Sequence, residues 1–269
     1  MCYKTVIPAL FPYMVISSLI VSSGLACFIG RAVRVPFTYL FAIDGNGAAA
    51  FFIGLAAGFP VGAKTSASLY REGLCEKEEA QRLCAFCNNT GPAFVIAGVG
   101  SLLCDYMLGV AIYIIEVISA LILGVILSIG KPRKREYSRR VVKFNPDLTA
   151  GVRDALSGTL SVCAFVIFFS VLNKCIFSVA SPILSSKYFS ALFCALLEVT
   201  SGVSTGAVLG GRAAFVLCAF AVGWSGLCVH TQTAAFLIPS GLSVKKYIFQ
   251  KACYALICTA LALLYSLFL

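Results

Sequence analysis

Long apolar runs constrain this chain more than any other feature. They fall at residues 5–29, 83–103, 106–129, 155–180, 213–238 and 247–269. Each is about 20 residues or longer, the length a helix needs to cross a hydrocarbon core of roughly 30 Å. Lipid offers no partner to a backbone N–H or C=O, so a crossing segment must satisfy its own hydrogen bonds, and helix is the expected element. The chain is 60% apolar and 12% charged, against about 45–50% and roughly 25% for an average soluble domain. The expectation is an all-α, multi-pass integral membrane protein, not a soluble enzyme. The first run is too long for a signal-peptide core, and Gly24-Leu25-Ala26-Cys27 has glycine where a lipoprotein box wants leucine, so it reads as a retained membrane helix.

The net charge of +10 does not point to nucleic acid, because no base-reading module accompanies it. Most Lys and Arg lie in short connections between apolar runs, with a dense cluster at 131–143, which is a topology signal. The 13 cysteines fall mostly singly within apolar runs and read as small packing residues. Cys84-Ala-Phe-Cys87 has CxxC spacing but lacks a second pair, a nearby histidine and a thioredoxin-like context, so no metal or cofactor is expected.

The basic run divides the sequence into residues 1–130, a cytoplasmic linker at 131–153, and residues 154–269. The parts on either side resemble each other. Leu83-Cys-Ala-Phe-Cys-Asn-Asn-Thr-Gly91 parallels Leu217-Cys-Ala-Phe-Ala-Val-Gly-Trp-Ser225, and each follows a glycine-broken apolar stretch, at 47–70 and 188–211. These stretches are either full crossings or re-entrant hairpins. As crossings they leave Arg31, Arg34, Lys174, Lys187, Lys245, Lys246 and Lys251 outside; as hairpins they leave only Lys4, Lys174, Lys187 and Arg212 there. The positive-inside rule favours hairpins. The result is two inverted repeats, with about six transmembrane helices and two re-entrant helical hairpins. Paired broken segments in inverted halves point to a transporter's midplane site; the competing reading is that the glycines only let helices pack closely.

Gly58-Phe-Pro-Val-Gly-Ala-Lys64 is where the first hairpin would turn, because Pro60 removes a donor while Gly62 tolerates unwound backbone. A helix starting after the turn would aim free N–H groups at a carboxylate or phosphate. Lys64 would add a full charge. A lysine at the bilayer centre costs about 2.5–3.5 kcal/mol, so it either faces a partner or substrate or snorkels to the interface. Glu198, Thr200 and Ser201 occupy the second hairpin. There Glu198 is the natural partner for Lys64, a proton or cation site, or a carboxylate held by its Ser and Thr neighbours. Asn88, Asn89 and Thr90 interrupt the run at 83–103 ahead of Pro92, and offer donors and acceptors to a polar ring or carboxylate. Their counterparts are Ser225 and His230-Thr-Gln-Thr233. His230 is a candidate coupling residue beside Glu198, with a satisfied core histidine as the alternative. Glu116, in the middle of an apolar run, is a third coupling candidate.

Gly58-Phe-Pro-Val-Gly-Ala-Lys64, followed by Phe86-Cys-Asn-Asn-Thr-Gly-Pro-Ala-Phe94, resembles the sporulation integral membrane protein family of the YlbJ type, within the nucleoside-recognition (Gate) group. The likeness runs from Pro8-Ala-Leu-Phe-Pro12 through Leu197-Glu-Val-Thr-Ser-Gly202 and beyond. It implies a multi-pass protein of endospore-forming bacteria, in the plasma membrane or the mother-cell-derived forespore membrane, linked to moving dipicolinate. It also implies a substrate held between opposed hairpin tips, on Pro60, Gly62, Lys64, Asn88, Asn89, Thr90, Glu198, Thr200, Ser201 and Ser225. Family members look longer at the N-terminus, so a leading helix is expected to be missing here. The Gln-Thr-Glu tip of nucleoside transporters is absent from the turn. The sequence reading is therefore an alternating-access carrier of a small, anionic or nucleoside-like solute, with lipid as its other partner and homo-oligomerisation left open. The rival class is a non-transporting scaffold or sensor that recruits partners through the basic linker.

Overall fold

The computed structural model describes residues 7–133, 147–180 and 186–269. Most of the basic run, residues 134–146, lies outside the described residues, as does Lys4. Among the described residues every regular element is helical. In chain order they are α1 (Ile7–Ser22), α2 (Leu25–Phe41), α3 (Gly47–Ala57), α4 (Val61–Arg71) and α5 (Lys77–Cys87). A π-helical turn (Ala93–Val99), the short α6 (Gly100–Leu102) and α7 (Tyr106–Ser128) complete the first part. The second part holds α8 (Leu148–Ala180), α9 (Lys187–Leu197), α10 (Val199–Ala207), α11 (Gly211–Trp224), α12 (Gly226–Leu237) and α13 (Val244–Ser266).

Long apolar helices suited to crossing a bilayer are Tyr106–Ser128, Leu148–Asn173, Gly211–Ser240 and Val244–Ser266. Ile114, Ile118, Leu160, Phe168, Phe249 and Leu263 on these helices point outward. An exposed apolar face of that extent suits lipid, not water. The spans at α8 and α13 bury only 33% of their apolar window inside the protein, whereas Gly211–Ser240 buries 67%, so the latter lies innermost. The protein is thus an all-α, multi-pass integral membrane protein.

Three of the apolar runs are interrupted, 213–238 at Ser225 and two others more sharply, so the unbroken spans are fewer than the sequence suggests. The run at 5–29 breaks at Ser22-Ser23-Gly24, where Gly24 takes φ 78°, and α1 and α2 diverge by 81°; counted as one bent span, they make a fifth. The run at 83–103 breaks after Cys87, and the chain passes irregularly through Asn88 to Gly91 before the π-helical turn. Hydropathy averages over the first break because serine barely lowers a 20-residue mean, whereas Asn88, Asn89 and Thr90 mark the second in the sequence.

The glycine-broken stretches each fold into two helices packed on one another. Ideal helical rise would separate Gly54 from Gly62 by about 12 Å, yet a Cβ on Gly54 would stand 3.2 Å from the Gly62 Cα. Likewise a Cβ on Gly202 would collide with Ala195, seven positions earlier. The first turn, Gly58-Phe59-Pro60, contains a cis Phe59–Pro60 bond; the second is a single extended residue, Glu198. Arg82, buried, ties the ends of two helices together. Its guanidinium donates to the Phe41 and Ala42 carbonyls at 2.9 and 2.7 Å and to the Leu127 carbonyl at 3.4 Å, a cation matched to the negative ends of α2 and α7.

Candidate functional site

Each hairpin turn presses on a helix break. A Cβ on Gly58 would sit 2.5 Å from the Gly91 nitrogen, in the break between α5 and the π-helical turn. A Cβ on Gly226, in the break between α11 and α12, would sit 2.9 Å from the Glu198 Cα. Ser225 adopts φ 70° there and its hydroxyl returns to the Val222 carbonyl, so it serves the break itself.

The first break is the most polar point of the interior. Asn88 donates to Thr233 Oγ1 at 3.0 Å and to the Tyr247 hydroxyl at 2.8 Å, while its Oδ1 accepts from the Ala63 amide at 3.4 Å. It thereby joins α4, α12 and α13. Lys251, 0% exposed, donates to the Asn88 carbonyl at 2.9 Å and stands 4.0 Å over the Tyr254 ring. Glu116, 1% exposed, accepts from the Thr90 amide, and the Tyr254 hydroxyl donates to the Glu116 carbonyl at 2.7 Å. Asn89 folds back on the Phe86 carbonyl, and Thr90 donates to the Val222 carbonyl. A cation and an anion from two long helices therefore hold opposite ends of one unwound triplet, satisfying backbone groups that the broken helix leaves unpaired.

His230 is buried beside this node, with Trp224 and Tyr247 edge-on to its ring at 4.4 and 5.5 Å. Among the described residues neither ring nitrogen has a hydrogen-bond partner, and neither has Glu116 Oε2. Gln232 and Thr231 turn back to Cys228.

Lys64 lies one residue beyond Ala63 on α4, and its side chain runs the other way. Its Nζ meets Asp154 Oδ2 at 2.8 Å, Ser18 Oγ at 3.1 Å and the Met14 carbonyl at 3.5 Å, and Ser18 donates to the same carboxylate at 2.7 Å. The lysine side chain is 1% exposed and the aspartate 46%. They stand at the wall of an open cleft of about 190 Å³ between α4, α8 and α12, which Arg71, Ser157, Ser161 and Pro239 also line.

The pairing of Lys64 with Glu198 is therefore replaced by Lys64 with Asp154. Glu198 is consumed locally. It caps α10, accepting from the Thr200 and Ser201 amides at 2.9 and 2.8 Å and from both their hydroxyls. Asn173 of α8 donates to Ser201. A carboxylate directly before a helix finds the first free N–H groups two and three residues along its own chain, and no distant lysine competes with that proximity. Pro60 and Gly62 form the turn and the close contact of the first hairpin: a methyl on Gly62 would strike the Cys87 carbonyl. The structure thus gathers Asn88, Asn89, Thr90, Glu116 and His230 at one node, sets Lys64 apart from it on the wall of the cleft, and keeps Glu198, Thr200 and Ser201 at the second turn.

Asp154, Lys251 and Tyr247 escaped the sequence reading. Asp154 directly follows the basic run, so its position carries no signal separate from that run. Lys251 was tallied with the loop charges at Lys245 and Lys246, although it sits within an apolar run, and that position was the signal. Among the described residues no three His, Cys, Asp or Glu side chains converge as a metal site would need.

No family model matches the chain, and no solved structure does. Among curated proteins, the sporulation integral membrane protein YlbJ of Bacillus subtilis (strain 168) is 24% identical over 289 residues, covering 92% of this chain and 70% of that protein. The chain is a multi-pass integral membrane protein whose resemblance to the YlbJ-type sporulation membrane proteins extends over nearly its whole length.

Proposed function

We propose that this protein is a permease that moves a small anionic solute across a bacterial membrane during sporulation, with dipicolinate as the first substrate to test. It works by alternating access between two inverted halves, 1–130 and 154–269, joined by the basic linker at 131–153. The hairpins at 47–70 and 188–211 dip into the lipid from opposite faces, as in the nucleoside-recognition (Gate) group. The observation that carries this reading is the contact of each hairpin turn with a helix break, Gly58 on Gly91 and Gly226 on Glu198. Broken helices at membrane depth are tolerated where they line a cavity or are buried in protein, and buried charges such as Glu116 and Lys251 mark solute or ion paths.

In this reading the cleft at Lys64 is a vestibule on the basic face of the protein. Lys64 and Arg71 outnumber Asp154 there, which favours an anion. The solute then passes to Asn88, Asn89 and Thr90, with Pro60 and Gly62 forming the moving tip and Glu198, Thr200, Ser201 and Ser225 the opposing one. Uptake of radiolabelled dipicolinate into proteoliposomes tests it. Wild type should accumulate solute, and Lys64→Ala should lose about 10- to 150-fold in initial rate, as expected for one charge-assisted hydrogen bond of roughly 1.5–3 kcal/mol. Absence of flux in wild type, with partner binding that depends on the basic linker, would favour a scaffold.

A further inference from the structure

Glu116 and Lys251 come from α7 and α13, helices of equal length that close the two halves. They meet at one helix break without forming a direct ion pair: Glu116 Oε1 takes the Thr90 amide and Lys251 Nζ takes the Asn88 carbonyl. Lys251 is the charged neighbour of Glu116. Tyr254 and Cys258 of α13 and Tyr113 of α7 lie within electrostatic reach of the carboxylate, and Cys87 of α5, Cys258 of α13 and His230 of α12 within reach of the lysine. The second carboxylate oxygen of Glu116, fully buried, has no hydrogen-bond partner among the described residues.

We propose that Glu116 and Lys251 form a charge-exchange pair that couples proton uptake to solute binding. A proton added to Glu116 Oε2 turns the carboxylate into a neutral acid, with no other bond made or broken. The Thr90 amide then faces a weaker acceptor, and Lys251 is left as a buried cation without a counter-charge, a state the interior does not sustain. A negative group of the solute arriving at Asn88 restores neutrality. Proton and anion therefore enter together, one proton for each negative charge that Lys251 accepts. This consequence for transport rests on the permease reading; the titrating pair does not.

The test separates the two. Infrared difference spectra of the protein in nanodiscs, recorded against pH without solute, should contain a protonated-carboxyl band that disappears in Glu116→Gln. Its midpoint should move by about 1–3 pH units in Lys251→Gln and stay in place in Lys251→Arg. If Lys251→Gln does not fold, the Nζ signal of nitrogen-15-labelled Lys251 gives the same answer, moving with the band in wild type and ceasing to move in Glu116→Gln. A carboxyl band unchanged by Glu116→Gln, or a Lys251 signal indifferent to that substitution, overturns the pair. Dipicolinate uptake that fails while the pair titrates would instead overturn the permease and leave the pair standing.

Discussion

The two hairpins carry opposite charges near their turns and dispose of them differently. In the first, Lys64 reaches across to α1 and α8, where Asp154 neutralises it and Ser18 accepts a hydrogen bond from it. In the second, Glu198 never leaves its own helix, whose first amides absorb its charge. A turn made of Gly58, Phe59 and Pro60 offers no side-chain cap, so the first hairpin depends on tertiary partners, whereas the second supplies its own. The first hairpin is thus tied to the rest of the protein by a bond that a solute anion could replace, and the second is a self-contained wedge.

The largest expected effect probes that tie. Asp154→Asn leaves Lys64 buried without a counter-charge, held only by Ser18 and the Met14 carbonyl, and should cost about 3 kcal/mol, the low end for a buried pair because Asp154 is half-exposed, whereas Lys64→Met leaves an aspartate that water reaches and should cost about 1 kcal/mol or less. Chemical unfolding in detergent measures both, and a reversed order would break the comparison. Next, Gly62→Ala drives a methyl into the Cys87 carbonyl. It should destabilise by about 1–3 kcal/mol and cut uptake even though no charge changes; normal stability would show that the hairpin does not pack on α5 as described. The smallest effect belongs to the second hairpin. Glu198→Ala should cost about 0.5–2 kcal/mol, the value of a helix cap, and Glu198→Gln less, because an amide oxygen still accepts. A loss as large as that of Asp154→Asn would mean that Glu198 has a distant partner after all.

Much of the architecture was legible because membrane depth imposes a crude, readable rule: long apolar runs become helices. Glycine and proline at Gly58, Pro60 and Gly62 likewise announced a break. Partners were not legible. Lys64 finds Asp154 ninety residues away, and Glu116 shares a break with Lys251 from the far end of the chain; neither relation leaves a period or spacing behind. Apolar helices also carry little amphipathic signal when lipid, not water, bathes their outer face. The break at Ser22-Ser23-Gly24 was the more avoidable miss, since serine beside glycine is a turn signal in its own right.

The central claim is that the hairpins enter the bilayer from opposite faces. Single cysteines at Asp44 and Glu72, flanking the first hairpin, and at Ser186 and Leu209, flanking the second, can be labelled with a membrane-impermeant maleimide in a background without the exposed Cys104 and Cys175. The account predicts that Asp44→Cys and Glu72→Cys react from the cytoplasmic side and that Ser186→Cys and Leu209→Cys react from the other. Reaction of the two members of either pair from opposite sides would make that segment a full crossing and contradict the account.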